Sequence, residues 1–372
     1  MSRVASLLVL IGIAAGCSKA PPADYAPDPG LLGRIKELRM TVHSGRVCPG
    51  NSFQVSYDAI LDDGSRVAFA TRYDKKNPPP LHVMFLDRSS REATPQGDGS
   101  WVAAQDPLIS LRDGYTINAA LRAKPGVSAS ARLEPEYSCL SHSYSFRGAS
   151  GRSGSNDRNS NIFHGGAGAD GPDVTVRLGV VKSPYVDRLL VAAIEVGEAP
   201  PIYYLGDAAV ITPRDWLIIE SGGGYGGRGA DGQKGVKGAA GAQGCPGGTG
   251  GPGGNGQDGG QGGPGGRGGR ITIITAAEEP FLAGLVDARA QGGRGGEGGK
   301  GGVGGEGGDG GAALRPECSA GSAGSAGRPG NAGRLGAQGY AGPRPQVITV
   351  PLRDVFGQRV PMELADLLNA RR

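Results

Sequence analysis

The stretch GQKGVKGAAGAQGCPGGTGGPGG, residues 232–254, places glycine at every third position and carries a cysteine and a proline at its centre. The same period continues in both directions, so that residues 223–268 hold sixteen glycines at intervals of three without a break. Two later runs repeat the period, with seven glycines in 292–310 and eight in 321–342. Because a flexible linker needs no fixed period, the spacing predicts that these residues form an ordered structure.

Two ordered states require glycine at every third position. A collagen triple helix joins three chains, which typically carry about 15–20% proline or more. The sixteen-glycine run has only Pro246, Pro252 and Pro264, and in nine of its triplets a second glycine follows the first, which raises the entropic cost of ordering. The other state is a single-chain bundle of left-handed polyproline II or polyglycine II helices, which bond to one another because each has no internal hydrogen bonds. The sequence favours this bundle and leaves a collagen-like trimer as the alternative.

Two cysteines lie where the glycine runs are expected to reverse direction. Cys245 stands at the midpoint of the sixteen-glycine run, with eight glycines of the period on either side, and Pro246 suits a turn. Cys318 lies in the eleven-residue break between the two later runs. Folding at both positions gives four antiparallel segments with both corners at one end. The spacing therefore predicts that a Cys245–Cys318 disulfide closes that end.

Apolar stretches surround the glycine runs in residues 148–350. DWLIIE precedes the longest run, ITIIT follows it, and QVITV follows the last run, while two short runs at 148–154 and 165–171 suggest a small hairpin. These β-branched stretches predict a β base from which the glycine helices project. Residues 351–372 have the pattern of a short amphipathic helix that packs on the base.

Residues 31–147 have the pattern of a β-sandwich. Short runs rich in β-branched and aromatic residues, such as FQVSYDAIL and LHVMFLD, alternate with turn signals, and Tyr137 precedes Cys139 by two residues, the spacing of an immunoglobulin-type tyrosine corner. The predicted fold class is therefore mainly β. An immunoglobulin-like β-sandwich is followed by a β base that carries a bundle of polyproline or polyglycine II helices.

The first twenty residues indicate the compartment. The apolar run at 5–15 is shorter than the ~20 residues that span a membrane and has the length of a signal-peptide core. It ends in AAGC, which closes at Cys17 and resembles the lipobox of bacterial lipoproteins. The resemblance implies that 1–16 is a signal peptide, that Cys17 is lipidated, and that Ser18 directs the protein to the outer membrane. Residues 17–30 are then a lipidated, proline-rich tether.

The four remaining cysteines are an even set in an oxidising compartment. They allow three pairings, of which the simplest places one disulfide in each half of the chain. Cys48–Cys139 is then expected to join the two ends of the sandwich and to contribute about 3–4.7 kcal/mol by restricting the unfolded chain. Cys245–Cys318 is the second pair.

Two known groups have a similar layout. Glycine helices on a β base resemble the glycine-rich N-terminal domain of Obg-type GTPases, but the chain has no GxxxxGK[ST] loop, and Gly299-Lys300 is followed by Gly301. The lipobox, the GPDV sequence at 171–174 and the alternation of GGRGG with ITI resemble the glycine-rich, collagen-like lipoproteins of high-GC bacteria such as myxobacteria. Neither resemblance implies a biochemical activity.

The sequence carries no motif typical of an enzyme. Four histidines, His43, His82, His142 and His164, lack the spacing of metal ligands. The net charge of +4 is spread without a basic stripe, which argues against a nucleic-acid partner. We therefore expect no catalysis, cofactor or metal.

Three functions are compatible with these features. The first is an outer-membrane lipoprotein, anchored in the bilayer through acylated Cys17, that serves as a monomeric scaffold or adhesin for a glycan or an envelope protein. The second is a carbohydrate-binding module in the sandwich, with Trp101, Tyr73 and Tyr115 as candidate rings and the glycine part as a spacer. The third is a collagen-like trimeric surface protein.

Overall fold

The computed structural model describes residues 21–22, 24–156, 163–211, 217–357 and 360–369. The predicted signal peptide and Cys17 lie outside the described residues. The chain divides into unit 1 (Met1–Cys139) and unit 2 (Leu140–Arg372). The fold is mainly β, with several sheets, as the sequence predicts.

The described part of unit 1 contains one helix and ten strands. Their bounds are α1 (Pro29–Arg34), β1 (Ile35–Val42), β2 (Arg46–Val47), β3 (Ser52–Phe53), β4 (Val55–Leu61), β5 (Arg66–Ala68), β6 (Leu86–Ser89), β7 (Ala93–Pro95), β8 (Trp101–Ala103), β9 (Tyr115–Leu121) and β10 (Lys124–Pro135). Two 3₁₀ turns lie at Val83–Phe85 and Pro107–Ser110. The strands form three sheets, with the orders β1-β4-β5, β2-β10-β9-β6 and β3-β8-β7.

The three sheets of unit 1 share one apolar core. Alternate side chains of β4 and β9 are buried, as expected of strands with one face towards a core. Tyr57 and Trp101 are buried in this core, and the Trp101 indole N–H donates to the Tyr57 hydroxyl at 2.7 Å. Tyr137 is also buried, with its hydroxyl 3.3 Å from that of Ser110. Tyr57, Trp101 and Tyr137 thus each have a partner for their polar atom, as buried tyrosine and tryptophan usually do.

The Cys48–Cys139 disulfide is present in unit 1, as predicted, with its Cα atoms 6.3 Å apart. Cys48 follows β2 and Cys139 lies beyond β10, and these two strands pair in parallel. The bond therefore joins the ends of neighbouring strands that are far apart in the sequence.

The predicted tether at 17–30 is shorter in the structure than in the sequence interpretation. The ring of Tyr25 packs on Tyr73 and Phe85, with centroid distances of 4.9 Å and 5.1 Å, and its hydroxyl donates to the Pro79 carbonyl oxygen. Asp28 caps α1 by accepting a hydrogen bond from the Gly30 N–H at 3.0 Å. Burial of an aromatic ring and a capped helical turn thus bring the end of the proline-rich segment into the folded unit.

His82 lies at the start of a 3₁₀ turn in unit 1. Its Nδ1 accepts a hydrogen bond from the Met84 N–H at 3.2 Å, and the side chain is buried. Burial, and then the positive charge of Arg88, lower the pKa of His82 below its ordinary value of 6.5. The folded unit therefore favours neutral imidazole.

We expect the stability of unit 1 to fall as the pH is lowered below about 6.5. Because the pKa of His82 is lower in the folded state, the unfolded chain takes up the proton first and is stabilised by it. His82→Asn keeps an acceptor at the cap but does not titrate, so its stability should change less with pH. The measurement is the urea concentration at which half of unit 1 is unfolded. It is read from the hydrogen exchange of peptides from unit 1 at about pH 7.5 and pH 5. Equal pH dependence of the two proteins would contradict this assignment.

The described part of unit 2 contains eight strands and two helices. Their bounds are β11 (Ser143–Arg147), β12 (Val174–Val181), β13 (Leu189–Val196), β14 (Ile202–Asp207), β15 (Leu217–Gly222), β16 (Ile271–Ala276), β17 (Val286–Arg289), β18 (Gln346–Val350), α2 (Leu352–Val355) and α3 (Met362–Asn369). A 3₁₀ turn lies at Pro280–Leu285. One sheet has the order β11-β15-β17 and is parallel throughout. The other has the order β14-β13-β12-β16-β18, in which β12, β16 and β18 are parallel neighbours.

One strand lies in a different unit from the one predicted. β11 falls inside the predicted sandwich at 31–147, but it pairs in parallel with β15 of unit 2. The boundary between the units therefore lies after Cys139 rather than after residue 147. The sequence SYSFR alternates like any half-buried strand, and alternation alone does not identify the sheet that a strand joins.

The two sheets of unit 2 enclose an apolar core that forms the predicted β base. Val176 and Ile273 come from one sheet and Ile219 from the other, and all three are buried in the same cluster. The predicted C-terminal helical region appears as α2 and α3. α2 packs on β12 and β16, where the absence of a side chain at Gly179 leaves room for Leu352.

Six glycine-rich segments without helix or strand structure connect with these sheets. We name them segment I (148–154), segment II (165–171), segment III (223–244), segment IV (247–269), segment V (292–311) and segment VI (321–342). Segments I, III and V follow the parallel strands β11, β15 and β17 and form the first row. Segments II, IV and VI precede β12, β16 and β18 and form the second row. The three parallel strands of each sheet thus connect with a row of three segments that run side by side.

Backbone hydrogen bonds join the segments at every third residue. The first residue of a triplet donates to the next segment of its own row, as Gly226 does to the carbonyl oxygen of Arg294 at 2.8 Å. The second residue donates to the preceding segment, which is antiparallel and in the other row, as Gly263 does to Gly227 and Gly296 does to Gly263, both at 2.8 Å. All these bonds form within one chain.

Segments III to VI reverse direction at the two predicted corners. The bond from the Gly248 N–H to the Ala242 carbonyl oxygen closes the first turn, and that from Gly321 to Gly311 closes the second. Cys245 and Cys318 form the predicted disulfide, with their Cα atoms 5.2 Å apart. The described glycines of the six segments have no positive φ.

Many second glycines of the triplets lie where the backbone of the preceding segment in the same row comes close. A Cβ atom on Gly227 would lie 2.0 Å from the Arg152 carbonyl oxygen of segment I. Beyond the end of segments I and II, the equivalent positions of segment III are Gln233, Val236 and Ala239. Double glycines are therefore required at positions where two backbones meet, although ordering them has a higher entropic cost.

Replacing Gly263 by alanine should destabilise the bundle by about 3 kcal/mol, the upper end of the usual cost of overpacking. The new Cβ atom would lie 1.9 Å from the Gly166 carbonyl oxygen, where two backbones must separate. Gly251→Ala is the matched control, because it occupies the same triplet position of segment IV and its Cβ atom would lie 3.2 Å from the nearest atom, in Ala239. We expect the control to stay within about 1 kcal/mol of the wild type. Urea unfolding followed by hydrogen exchange in segment IV measures both, and similar losses would contradict the close approach.

Candidate interaction surface

The third residue of each triplet forms the solvent-exposed faces of the bundle. Parallel segments are held in register by the in-row hydrogen bonds, so these side chains form a regular array with a repeat of about 9 Å along each segment. The exposed third residues of the first row are Tyr225, Arg228, Asp231, Lys234 and Lys237 of segment III and Arg294, Glu297, Lys300, Val303, Glu306 and Asp309 of segment V. Those of the second row are Thr249, Pro252, Asn255, Asp258, Gln261, Pro264 and Arg267 of segment IV and Ser322, Ser325, Arg328, Asn331, Arg334, Ala337 and Tyr340 of segment VI.

The face of the first row is dominated by paired charges. Lys237 and Asp309 of neighbouring segments approach to 2.8 Å, and this hydrogen bond raises the pKa of Lys237 and lowers that of Asp309. Lys234 pairs with Glu306 across the same two segments at 3.3 Å. Such exposed pairs balance the charge of the face rather than contribute much to stability.

The face of the second row differs in its chemistry. Hydroxyl and amide side chains alternate with arginines, which include Arg328 and Arg334 of segment VI and Arg267 of segment IV. Among the described residues, none of these three guanidinium groups has a carboxylate within ion-pair distance. Tyr340 is 84% exposed and adds one open aromatic ring. This face therefore retains unpaired positive charge among groups that form hydrogen bonds.

Side chains clamp parallel segments to one another. The Gly259 N–H donates to the Asn331 carbonyl oxygen at 2.8 Å, and the Asn331 N–H donates back to the carboxylate of Asp258 at 2.6 Å. The same two-bond arrangement recurs at five other places, in the pairs Asp231 with Lys300, Asn255 with Arg328, Asp170 with Arg267, Asp173 with Arg270, and His164 with Gln261. An acceptor side chain immediately before the donor residue is the common feature. These clamps fix the register of the exposed arrays.

Removal of the Asp258 carboxylate should release the Asn331 amide. For Asp258→Ala we expect this amide to exchange roughly fivefold faster, equivalent to about 1 kcal/mol for an exposed hydrogen bond to a charged group. Asp258→Asn keeps an acceptor and should remain close to the wild type. Asp309→Ala removes a carboxylate that pairs with Lys237 across the first-row face. It should leave the Asn331 amide unchanged in exchange measured by NMR. Equal protection in all four proteins would show that the clamp contributes nothing.

The structure separates the residues that the sequence analysis singled out. The disulfide Cys245–Cys318 lies at the end of the bundle, where the Leu314 N–H also donates to the Gly244 carbonyl oxygen at 3.0 Å. His82 and His164 act as hydrogen-bond acceptors for backbone amides. The described part of the chain contains no cluster of three metal-ligating side chains.

The candidate rings of the sandwich are poorly placed for binding a sugar. Trp101 and Tyr115 are buried in the core, and Tyr73 packs on Tyr25. A groove of about 290 Å³ lies beside β6, β9 and β10, and its lining has no aromatic ring. The lining residues are Asp87, Ser89, Asn118, Ala119, Ala120, Ser128, Ala129 and Ser130.

The clamps and the charge difference between the two faces were not predicted. Asp-Gly, Asn-Gly and His-Gly dipeptides within the glycine runs, such as Asp231-Gly232 and Asn255-Gly256, were the available signal. The ion pairs between segments III and V could not be anticipated without the register of parallel neighbours.

Comparison of the chain with protein-family models, curated proteins and solved structures gave no match. In the part of the chain that the structure describes, no helix is both long and apolar enough to cross a membrane.

Proposed function

We propose that the protein is a lipid-anchored bacterial surface protein whose glycine bundle acts as a rigid interaction scaffold, with no catalytic role. The observation that supports this proposal is the lattice of backbone hydrogen bonds between the six segments, which holds exposed side chains in fixed register. An array of this kind is already ordered before a partner arrives. Binding to it therefore avoids much of the entropic cost of immobilising a flexible surface.

The anchor is proposed from the sequence that ends at Cys17. Acyl chains on this cysteine would contribute roughly 0.8 kcal/mol for each buried CH₂ group, so that a multiply acylated protein stays on a membrane. Ser18 favours the outer membrane as the location. A glycan or another envelope protein is the proposed partner, and a monomer is the proposed state.

The two alternatives have less support. A carbohydrate-binding sandwich with the glycine part as a spacer lacks exposure of Trp101 and Tyr115, two of its three candidate rings. A collagen-like trimer would use glycine N–H groups for bonds to other chains, whereas these groups bond within one chain here.

Replacing Cys17 by serine should remove the protein from the outer-membrane fraction, because no acyl chain can then be attached. Lys19→Gln leaves Cys17 and Ser18 in place and is the matched control for changes near the same cleavage site. Fractionation of cells followed by immunoblotting gives the result, with the control expected in the membrane fraction. A Cys17→Ser protein that stays in that fraction would refute lipid anchoring.

A further inference from the structure

Segment VI and the strand that follows it form the most unbalanced stretch of charge in unit 2. Residues 318–353 contain four arginines and no aspartate or glutamate. Arg353 lies beside Asp354 at 3.5 Å, but Arg328, Arg334 and Arg344 are exposed and have no carboxylate partner among the described residues. This imbalance contrasts with the paired charges of the first-row face.

The groups around these arginines reduce the positive charge without cancelling it. Asp258 of segment IV lies at the level between Arg328 and Arg334, and one of its oxygens accepts the Asn331 N–H at 2.6 Å. Arg267 and Arg270 add two further arginines to this face. Asp170 of segment II and Asp173 just after it accept the backbone N–H groups of these two arginines. Four arginines, Arg267, Arg270, Arg328 and Arg334, therefore share the second-row face with three aspartates.

The spacing of the charges restricts the kind of polyanion that fits. Arg328 and Arg334 are two triplets apart, which is about 19 Å. Duplex DNA carries one charge per about 1.7 Å of its axis, so most of its phosphates would find no cation here. A polymer with sparse anionic groups matches the arginines better.

Polar groups beside and between the arginines of segment VI match a polymer that carries hydroxyl groups. Ser322, Ser325 and Asn331 are exposed on segment VI, and their hydroxyl and amide groups both donate and accept hydrogen bonds. Tyr340 presents an open ring at the base-proximal end of the same segment. Aromatic rings provide an apolar surface for binding at low conformational cost.

From this arrangement we infer that the second-row face of the glycine bundle binds an acidic polysaccharide, with the arginines of segment VI contacting its anionic groups. The inference rests on the proposed role of the bundle as an interaction scaffold. The arginine fork is suited to bidentate contact with carboxylate, sulfate or phosphate groups. Sugar hydroxyl groups between these contacts meet the Asn331 side chain, and those beyond Arg328 meet the side chains of Ser322 and Ser325.

The test uses the full-length lipoprotein in liposomes and measures its binding to polygalacturonate, with neutral dextran and duplex DNA as comparison polymers. We expect binding to polygalacturonate, weaker binding to DNA and none to dextran. Between about 0.05 M and 0.3 M salt the binding should weaken, because exposed charge contacts are screened. The double variant Arg328→Gln and Arg334→Gln should bind about tenfold more weakly, since two charge-assisted contacts are lost.

The matched control is the double variant Lys234→Gln and Lys237→Gln, which removes two positive charges from the first-row face. It has the same net charge as the arginine variant, and we expect its affinity to stay within about twofold of the wild type, because long-range charge effects are screened. Equal weakening in both variants, equal binding to dextran, or tighter binding to DNA would overturn the inference. Absence of polygalacturonate binding by a membrane-anchored protein with an intact bundle would overturn it too, and would leave the proposed scaffold role standing.

Discussion

The hydrogen bonds between glycine segments are the constraint on which unit 2 depends. The described glycine segments make their backbone hydrogen bonds to neighbouring segments, so each segment depends on its neighbours for the partners that buried backbone groups require. Segments I to IV donate from their first positions to the next segment of their row, and segments II to VI donate from their second positions to the segment before them. Carbonyl oxygens approach so closely that a side chain at Gly263 or Gly296 would overlap with the backbone. The glycine period therefore marks the positions at which two backbones are in close contact.

The β base gives this lattice its starting register. The parallel strands β11, β15 and β17 lead into the first row, and β12, β16 and β18 receive the second row. Pairing of the strands thus places three segments side by side in each row. The disulfide Cys245–Cys318 joins the two turns at the other end. The side-chain clamps at Asp231, Asn255 and Asp258 hold the same register between these two limits.

The sequence predicted the parts of this arrangement that depend on counting. The glycine period, the lengths of the runs and the positions of Cys245 and Cys318 were sufficient to predict the two corners and the disulfide. This was possible because the need for glycine at a close backbone contact is visible at each position of the sequence. The sequence could not predict which segments are neighbours, because the period indicates close contact without identifying the partner. β11 was placed in the wrong unit because alternation of side chains does not identify the sheet that a strand joins. The unpaired arginines could be recognised only after the register of segments IV and VI had placed the nearest carboxylates.

The sequence of segment VI explains why the bundle ends after six segments. In segment IV the first position of each triplet is glycine, as at Gly250, where a Cβ atom would lie 2.1 Å from a carbonyl oxygen of segment V. The equivalent positions of segment VI are Ala323, Ala326, Pro329, Ala332 and Leu335, and all of them are exposed. Their Cβ atoms occupy the place that a further first-row segment would need, and the proline has no N–H to donate. A seventh segment therefore cannot join the lattice without overlap. The need for glycine at the contact positions thus both forms the bundle and limits its size.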